Sequence, residues 1–238
     1  MAEHSAPAQI EEQQKQIGSY LGRVLRDHFG KGPESVYVSV DPCCIVMHIR
    51  KFLSPIEKVM LDQRDKSAVE ELRETMMAKM LPEIEHYISS LMDIEDWEFY
   101  FDWNIENKSG VITGFHPDKL KERQEKNRTR GQENIKQAIQ RVSEEAGKSP
   151  DEITVHPVNE RTMLAVRTGG LILIEKELIR TGHLDILKST KRLLEKEVLY
   201  KEKFDSIFGT TVRDIFVDWD FDRDRSLIVF ITDPTEQI

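Results

Sequence analysis

Apolar positions recur along this chain in two rhythms, one near 3.6 residues and one of two, and the same succession of rhythms occurs twice. Ile10, Ile17, Leu21, Leu25 and Phe29 share one stripe, which predicts an amphipathic helix ended by Gly30. Val36, Val38 and Val40 then alternate with Tyr37 and Ser39, and Ile45, Met47 and Ile49 share one side of a second strand, with Asp41-Pro42 as the turn between. A helical stretch, Glu57–Met92, leads to a strand that puts Phe99, Phe101 and Trp103 on one face. A turn around Asn107–Gly110 precedes a closing strand, Val111–Phe115. Ile135, Ala138, Ile139, Val142 and Ala146 reopen the series with a thinner helical stripe ending at Gly147. Ile153 and Val155, then Thr162, Leu164 and Val166, predict the next strand pair around Pro157-Val158-Asn159. Glu175–Phe208 is helical, and Ile215, Val217 and Trp219 face one way before the Asp222–Arg225 turn and Leu227–Ile231.

Particular strings confirm the duplication. Gly30-Lys31-Gly32-Pro33-Glu34 returns as Gly147-Lys148-Ser149-Pro150-Asp151, Ile56-Glu57-Lys58 as Ile174-Glu175-Lys176, and Phe101-Asp102-Trp103-Asn104 as Val217-Asp218-Trp219-Asp220. Copies of about 115 residues are long enough to be domains rather than solenoid repeats. The predicted fold is α+β: two homologous α-β-β-α-β-β domains, each a largely antiparallel four-stranded sheet packed with helices, arranged as a pseudo-twofold pair. The expected boundaries are 8–117 and 131–234, joined by a charged linker at 118–130, where nine of thirteen residues are charged and no apolar stripe exists.

The copies differ in detail. Ser54, Pro55 and Glu57 form a capping box that starts the first long helical stretch, whereas Ile172 takes the serine's place in the second copy and should abolish the box. Breaks are expected at Arg64–Ser67 and Arg180–His183. Pro82 should kink or restart the first stretch, and Tyr200 or Lys201 at that place should let the second run straighter.

Charge adds an asymmetry. Residues 1–117 hold 12 Lys+Arg against 20 Asp+Glu, whereas residues 118–238 hold 22 against 23. The acidic first half argues against nucleic-acid binding. No apolar run approaches the roughly 18 residues of a membrane span, and Met1–Gln16 has no apolar stretch of secretory type. Adjacent Cys43 and Cys44 suit neither a disulfide framework nor a zinc motif, so a cytoplasmic setting without direct membrane insertion is expected.

Candidate chemistry is sparse. Gly147-Lys148-Ser149 resembles the end of a phosphate loop, but Val142 occupies the place of its first glycine, so a helix C-cap is the better reading. Asp220, Asp222 and Asp224 alternate as a calcium loop begins, yet Arg225 and Ile231 stand where glycine and glutamate are required. His4, His28, His48, His86, His116, His156 and His183 show no metal spacing and no aligned pair. Cys43 reads as a structural thiol before a strand. Trp103 and Trp219 read as core. Asp102 and Asp218, with Glu98 and Asp214 two places earlier, form a carboxylate ladder on the opposite sheet face that meets lysines or solvent, or holds a cation. No catalytic residue, cofactor or metal site is assigned.

The order of elements, with Gly-Lys-Gly-Pro-Glu-Ser-Val (30–36), Leu-Ser-Pro-Ile-Glu-Lys (53–58), a long helix with a central proline and an acidic late strand, resembles the bacterial MpsC domain. The resemblance covers residues 10–116, and 131–233 more weakly. It implies association with a Na+-linked, membrane-potential-generating system tied to inorganic-carbon uptake. The function expected from it is that of a non-catalytic cytoplasmic accessory or regulatory protein whose partner is a membrane transporter complex, with the two repeats paired intramolecularly. The alternative is a small-ligand or anion sensor with a site between the repeats.

Overall fold

A computed structural model describes residues 5–126 and 129–234 of the chain. The first repeat contributes α1 (Ser5–Phe29), β1 (Ser35–Asp41), β2 (Cys44–Arg50), α2 (Pro55–Asp62), α3 (Lys66–Met92), β3 (Glu98–Asn104) and β4 (Ser109–Phe115). After α4 (Pro117–Lys126) come α5 (Arg130–Ala146), β5 (Glu152–Asn159), β6 (Thr162–Thr168), α6 (Leu173–Arg180), α7 (Leu184–Lys201), α8 (Phe204–Phe208), β7 (Val212–Asp220) and β8 (Arg225–Thr232). Each repeat forms one four-stranded sheet, in the orders β1-β2-β4-β3 and β5-β6-β8-β7. β1–β2, β2–β4, β5–β6, β6–β8 and β7–β8 all pair antiparallel. The α+β reading of two homologous domains therefore holds.

The chain divides into two compact units. The first runs to Phe99 and from Trp103 to His116; the second holds Pro117 onward together with Tyr100–Asp102 of β3. That three-residue exchange is invisible in the repeat period. Of the segment read as a charged linker, residues 118–126 lie in α4, where Leu120 is buried.

In the first unit the stripe of α1 buries Ile17, Leu21, Leu25 and Phe29, while Ile10 stays exposed. Tyr20 stacks on Tyr87 with ring centroids 3.7 Å apart, and its hydroxyl donates to the Glu83 carboxylate at 2.8 Å. Burial, reinforced by that carboxylate, pushes the Tyr20 phenol up to about 12. Phe52 is the hub of the core, 5.1 Å from Phe29 and 5.8 Å from Trp103 between centroids. The rings of Trp103 and Phe99 lie over Gly110 and Gly114 of β4. A Cβ on Gly110 would come within 2.1 Å of Trp103, and one on Gly114 within 2.7 Å of Phe99. Gly110→Ala is therefore expected to displace the indole and cost about 1–3 kcal/mol, read by urea denaturation, with Gly22→Ala, where the added Cβ meets nothing, as the control.

The two helical stretches reverse the expectation drawn from proline. α3 is unbroken from Lys66 to Met92 with Pro82 inside it. Pro82 sits on the exposed side of α3, as does Ala78 one turn earlier, whose carbonyl loses its helical donor but can turn to water. It is the second copy that breaks. Glu202 leaves the helix with extended backbone, and α8 restarts to bury Phe204, whose ring lies 4.7 Å from that of Phe230. Packing of one aromatic side chain outweighs the local preference for a continuous helix.

Candidate functional site

The duplicated Asp-Trp pair is the natural starting point, because strand alternation sends its two side chains to opposite faces. Both tryptophans are buried, as expected of core residues. Sequence reasoning missed what lies against each of them. In the first unit the Arg73 guanidinium sits 4.5 Å from the Trp103 ring centroid and 5.3 Å from that of Phe52. Its Nε donates to Glu57 at 2.6 Å and its Nη2 to the Phe52 carbonyl at 3.0 Å. Arg73 and Glu57 are both fully buried. Glu57 does double duty. Its other carboxylate oxygen accepts the Ser54 N–H at 2.6 Å, while the Ser54 hydroxyl caps the Glu57 N–H at 3.3 Å, so the capping box exists and doubles as the counter-ion mount. Among the described residues, Arg73 Nη1 has no hydrogen-bond acceptor, and the adjacent aromatic faces supply the cation–π environment instead.

The second unit repeats this arrangement at an offset of 118 for the helices. Lys191 replaces Arg73, lies 4.5 Å from the Trp219 centroid and donates to Glu175 at 2.6 Å. Glu175 still accepts the Ile172 N–H at 3.0 Å, so the carboxylate half of the capping box survives where its loss was expected; only the serine half is gone. Around this kept core the second copy has changed character. β2 and β6 align residue for residue at the same offset, as do α3 and α7, so Ile49 and Met77 of the first copy become Arg167 and Glu195. The Arg167 Nη2 donates to Glu195 at 2.5 Å, its Nε to Ser226 at 2.8 Å and its Nη1 to Ser143 at 3.0 Å. Glu195 also accepts the Trp219 indole N–H at 3.2 Å. Ser226 and Ser143 stand in turn where the first copy has Gly110 and Arg26. A buried arginine has thus arrived together with each of its acceptors.

Phe52, the aromatic hub of the first unit, corresponds to Gly170. A Cβ there would meet Trp219 at 2.8 Å, so the indole takes up the space a side chain at this position would need. What remains is a shallow cleft with room for about one water molecule, lined by Ser143, Lys148, Arg167, Lys191, Glu195 and Trp219 among others. Chemically the arrangement balances charge: Arg167 and Lys191 face Glu175 and Glu195, a tetrad that locks strand, two helices and indole together.

The aspartates of the repeated pair have a different fate. Asp102 and Asp218 are buried, and α7 turns three cations to them in one row. Arg192 donates to Asp218 at 2.8 Å, Lys196 lies 2.5 Å from Asp102, and Lys188 lies 3.5 Å from Asp218. Within the second unit each aspartate also caps the other strand: Asp218 accepts the Phe101 N–H at 3.0 Å and Asp102 the Val217 N–H at 2.8 Å. The lysine-facing reading of this carboxylate ladder is the one observed. Asp218→Asn keeps an acceptor for Phe101 but leaves Arg192 without one of its counter-charges. A loss of about 1–3 kcal/mol in chemical denaturation is expected, with Asp218→Ala losing more because the strand N–H is then bare as well.

Several of the remaining sequence candidates make local contacts. Gly147 is the C-cap of α5, as read. Asp220 accepts the Arg223 N–H at 3.0 Å inside the β7–β8 turn, and Asp224 accepts the Leu171 N–H at 2.9 Å. Cys43 is buried in the β1–β2 turn, where its Sγ donates to Asp41 at 2.9 Å; Cys44 is buried beside it. Asp214 is buried and Glu98 half-buried. Apolar residues also face solvent. Ile56 and Ile174 occupy the same position of α2 and α6 and are 57% and 61% exposed, with Val59 and Leu173 beside them. No helix among the described residues is long and apolar enough to cross a membrane.

Comparison with protein families gives one match, counted twice along the chain. The family model described as "Na+-translocating membrane potential-generating system (MpsC)" covers residues 9–115 and again 127–234. No curated protein and no solved structure matches.

Proposed function

Because this chain belongs to the MpsC family, as two tandem copies of its domain, we propose that it serves a Na+-translocating system as a non-catalytic, cytoplasmic accessory or regulatory component that works by protein contact. One observation carries this reading beyond family membership. Both repeats keep an exposed isoleucine at the first turn of the short helix, Ile56 and Ile174, each beside a second exposed apolar residue. Apolar side chains held in solvent at equivalent positions of duplicated domains suit docking surfaces better than cores. The test is quantitative co-purification of the tagged chain from gently solubilised native membranes, alongside Ile56→Glu and Ile174→Glu variants. Enrichment of the ion-translocating membrane component by the parent, lost in either variant while the melting temperature stays put, supports the reading. Turnover of a substrate that disappears with one side-chain change would overturn it.

A second reading is a small-ligand or anion sensor, and in the second unit the cleft beside Trp219 brings Lys148 near Arg167 and Lys191, although both of the latter already face carboxylates. A concentration-dependent rise in melting temperature across an anion and metabolite panel would support it, and a flat response across the panel counts against it.

A further inference from the structure

Neighbours along a strand point to opposite faces, which is why adjacent Cys43 and Cys44 suit no metal motif when read as sequence. In the fold only Cys44 belongs to a strand. Asp41 pairs directly with Cys44 across the β1–β2 hairpin, so their side chains share a face, and Pro42 and Cys43 make the two-residue turn between them. The turn brings the Cys43 thiol back to Asp41. Its Sγ donates to Asp41 Oδ1 at 2.9 Å, and its backbone N–H donates to the same oxygen at 3.1 Å. A carboxylate oxygen and two sulfurs thereby lie within 4.8 Å of one another. Both thiols are buried, and Asp41 is 9% exposed.

The second repeat supplies an internal control. At the offset of 118 that aligns β2 with β6, Asn159, Arg161 and Thr162 stand in place of Asp41, Cys43 and Cys44. Their hairpin has the same form. Asn159 pairs with Thr162, Glu160 and Arg161 make the turn, and Asn159 Oδ1 accepts the Arg161 N–H at 2.8 Å. The turn therefore closes on an amide oxygen, with neither a thiol nor a negative charge at its base. A carboxylate and two sulfurs at this place in the first copy exceed what the hairpin requires, and they are donors of the kind that ligate a metal ion.

The donor set selects the ion. Two thiolates favour a soft or borderline cation, whereas Ca2+ and Mg2+ take oxygen ligands in numbers this turn lacks. The carboxylate favours Zn2+ over Cu+. Tetrahedral zinc, with sulfur at about 2.3 Å and oxygen at about 2.0–2.2 Å, holds its ligand atoms roughly 3.5–3.8 Å apart. Cys43 and Asp41 need open by only about 0.7 Å to reach that spacing once the thiol proton between them is displaced to solvent.

We propose that Asp41, Cys43 and Cys44 form a Zn2+ site on the β1–β2 turn, its fourth position left to water or one further donor. The proposal does not rest on the accessory reading.

The experiment is titration of the reduced, chelator-stripped full chain with Co2+, a spectroscopic stand-in for Zn2+. The chain has two cysteines, so a thiolate-to-cobalt charge-transfer band in the near ultraviolet reports on Cys43 and Cys44 alone. The band is expected to saturate at one Co2+ per chain and to vanish on addition of Zn2+, which also raises the melting temperature. The discriminating variants carry residues that the second hairpin already accommodates. Cys44→Thr should weaken binding more than about a hundredfold, beyond the cost of losing an outer-shell partner, and Cys43→Ser, in the turn, gives an independent reading of the same loss. Asp41→Asn should keep the sulfur band and weaken binding about tenfold, because the amide oxygen brings no charge. Melting in excess chelator verifies that each variant is folded. Absence of a thiolate band, a band that needs millimolar Co2+, saturation at one Co2+ per two chains, or an affinity indifferent to Asp41→Asn each overturns the proposal.

Discussion

Arg167→Met is expected to destabilise the second unit by about 3–5 kcal/mol, because it leaves Glu195 buried against a single remaining cation, Lys191 at 3.7 Å. The acceptors collected around the guanidinium, Ser143 and Ser226, lose their common donor at the same time. The informative comparison is the double variant Arg167→Ile with Glu195→Met, which installs the residues found at the equivalent positions of the first copy. Apolar replacement of a buried pair is neutral or stabilising where the volume is matched. Here the Trp219 indole N–H also loses its acceptor, at about 1–3 kcal/mol. The double variant should therefore lie within about 2 kcal/mol of the parent and well above the single one. Urea denaturation of the parent, Arg167→Ile, Glu195→Met and the double variant measures the coupling directly. A double variant no more stable than Arg167→Met would mean that the pair itself, rather than the charge it leaves behind, supports this core.

In the first unit the corresponding experiment is removal of Glu57. Glu57→Ala strips the counter-ion from a fully buried guanidinium and removes half of a capping box in one step, so a cost of about 3–5 kcal/mol is expected, enough to melt much of a domain of ordinary stability. Arg73→Lys should be far milder, near 1 kcal/mol. The second copy uses lysine at this place against the same glutamate and tryptophan, and the chief loss is the hydrogen bond to the Phe52 carbonyl. Thermal melts of the full chain resolve both. If Arg73→Lys proved as damaging as Glu57→Ala, the bidentate reach of the guanidinium, and not its charge, would be what the first core depends on.

Much of the architecture was legible beforehand, and for a stated reason in each case. Alternation at Val36–Val40 and Ile215–Trp219 identifies strands because one sheet face is buried and the other is not. Ser54-Pro55-x-Glu57 marks a helix start because every one of its groups has a partner within four residues. Both signals are local. The tryptophans were legible as core for the same reason, while the cations above them were not. Arg73 lies 30 residues from Trp103 and Lys191 lies 28 from Trp219, and nothing in the pattern of a long charged helix marks which cation turns inward. One signal could have found them. Aligning the copies puts Arg73 over Lys191 and Glu57 over Glu175, two charges kept while most of the surrounding core residues changed.

The failed expectations share a cause. Proline at position 82 predicted an interrupted helix and its absence a continuous one, yet α3 runs through and α7 ends early. The carbonyl orphaned by proline on an exposed turn can turn to water, whereas Phe204 is buried by a helix that stops and restarts. In the same way, Ile172 removes the serine from the second capping box, but Glu175 keeps its half because Lys191 holds the carboxylate in place. Local rules priced each residue correctly and left out the partner that the fold brought to it.

What the sequence determined by itself is therefore the duplication, the order of helices and strands, the antiparallel sheets and the membership of a family, all of which follow from periodicity and from strings repeated at a constant offset. What only the tertiary structure decided is the fate of the charges: that Asp102 and Asp218 share one basic row on α7, and that two glutamates and two cations, all but Glu175 buried, gather as a tetrad around Trp219. Periodicity reports which face of an element is dry, since apolar burial is additive and non-directional. Pairing of buried charges depends on distance and direction between residues remote in the chain, and those quantities exist only once the chain is folded.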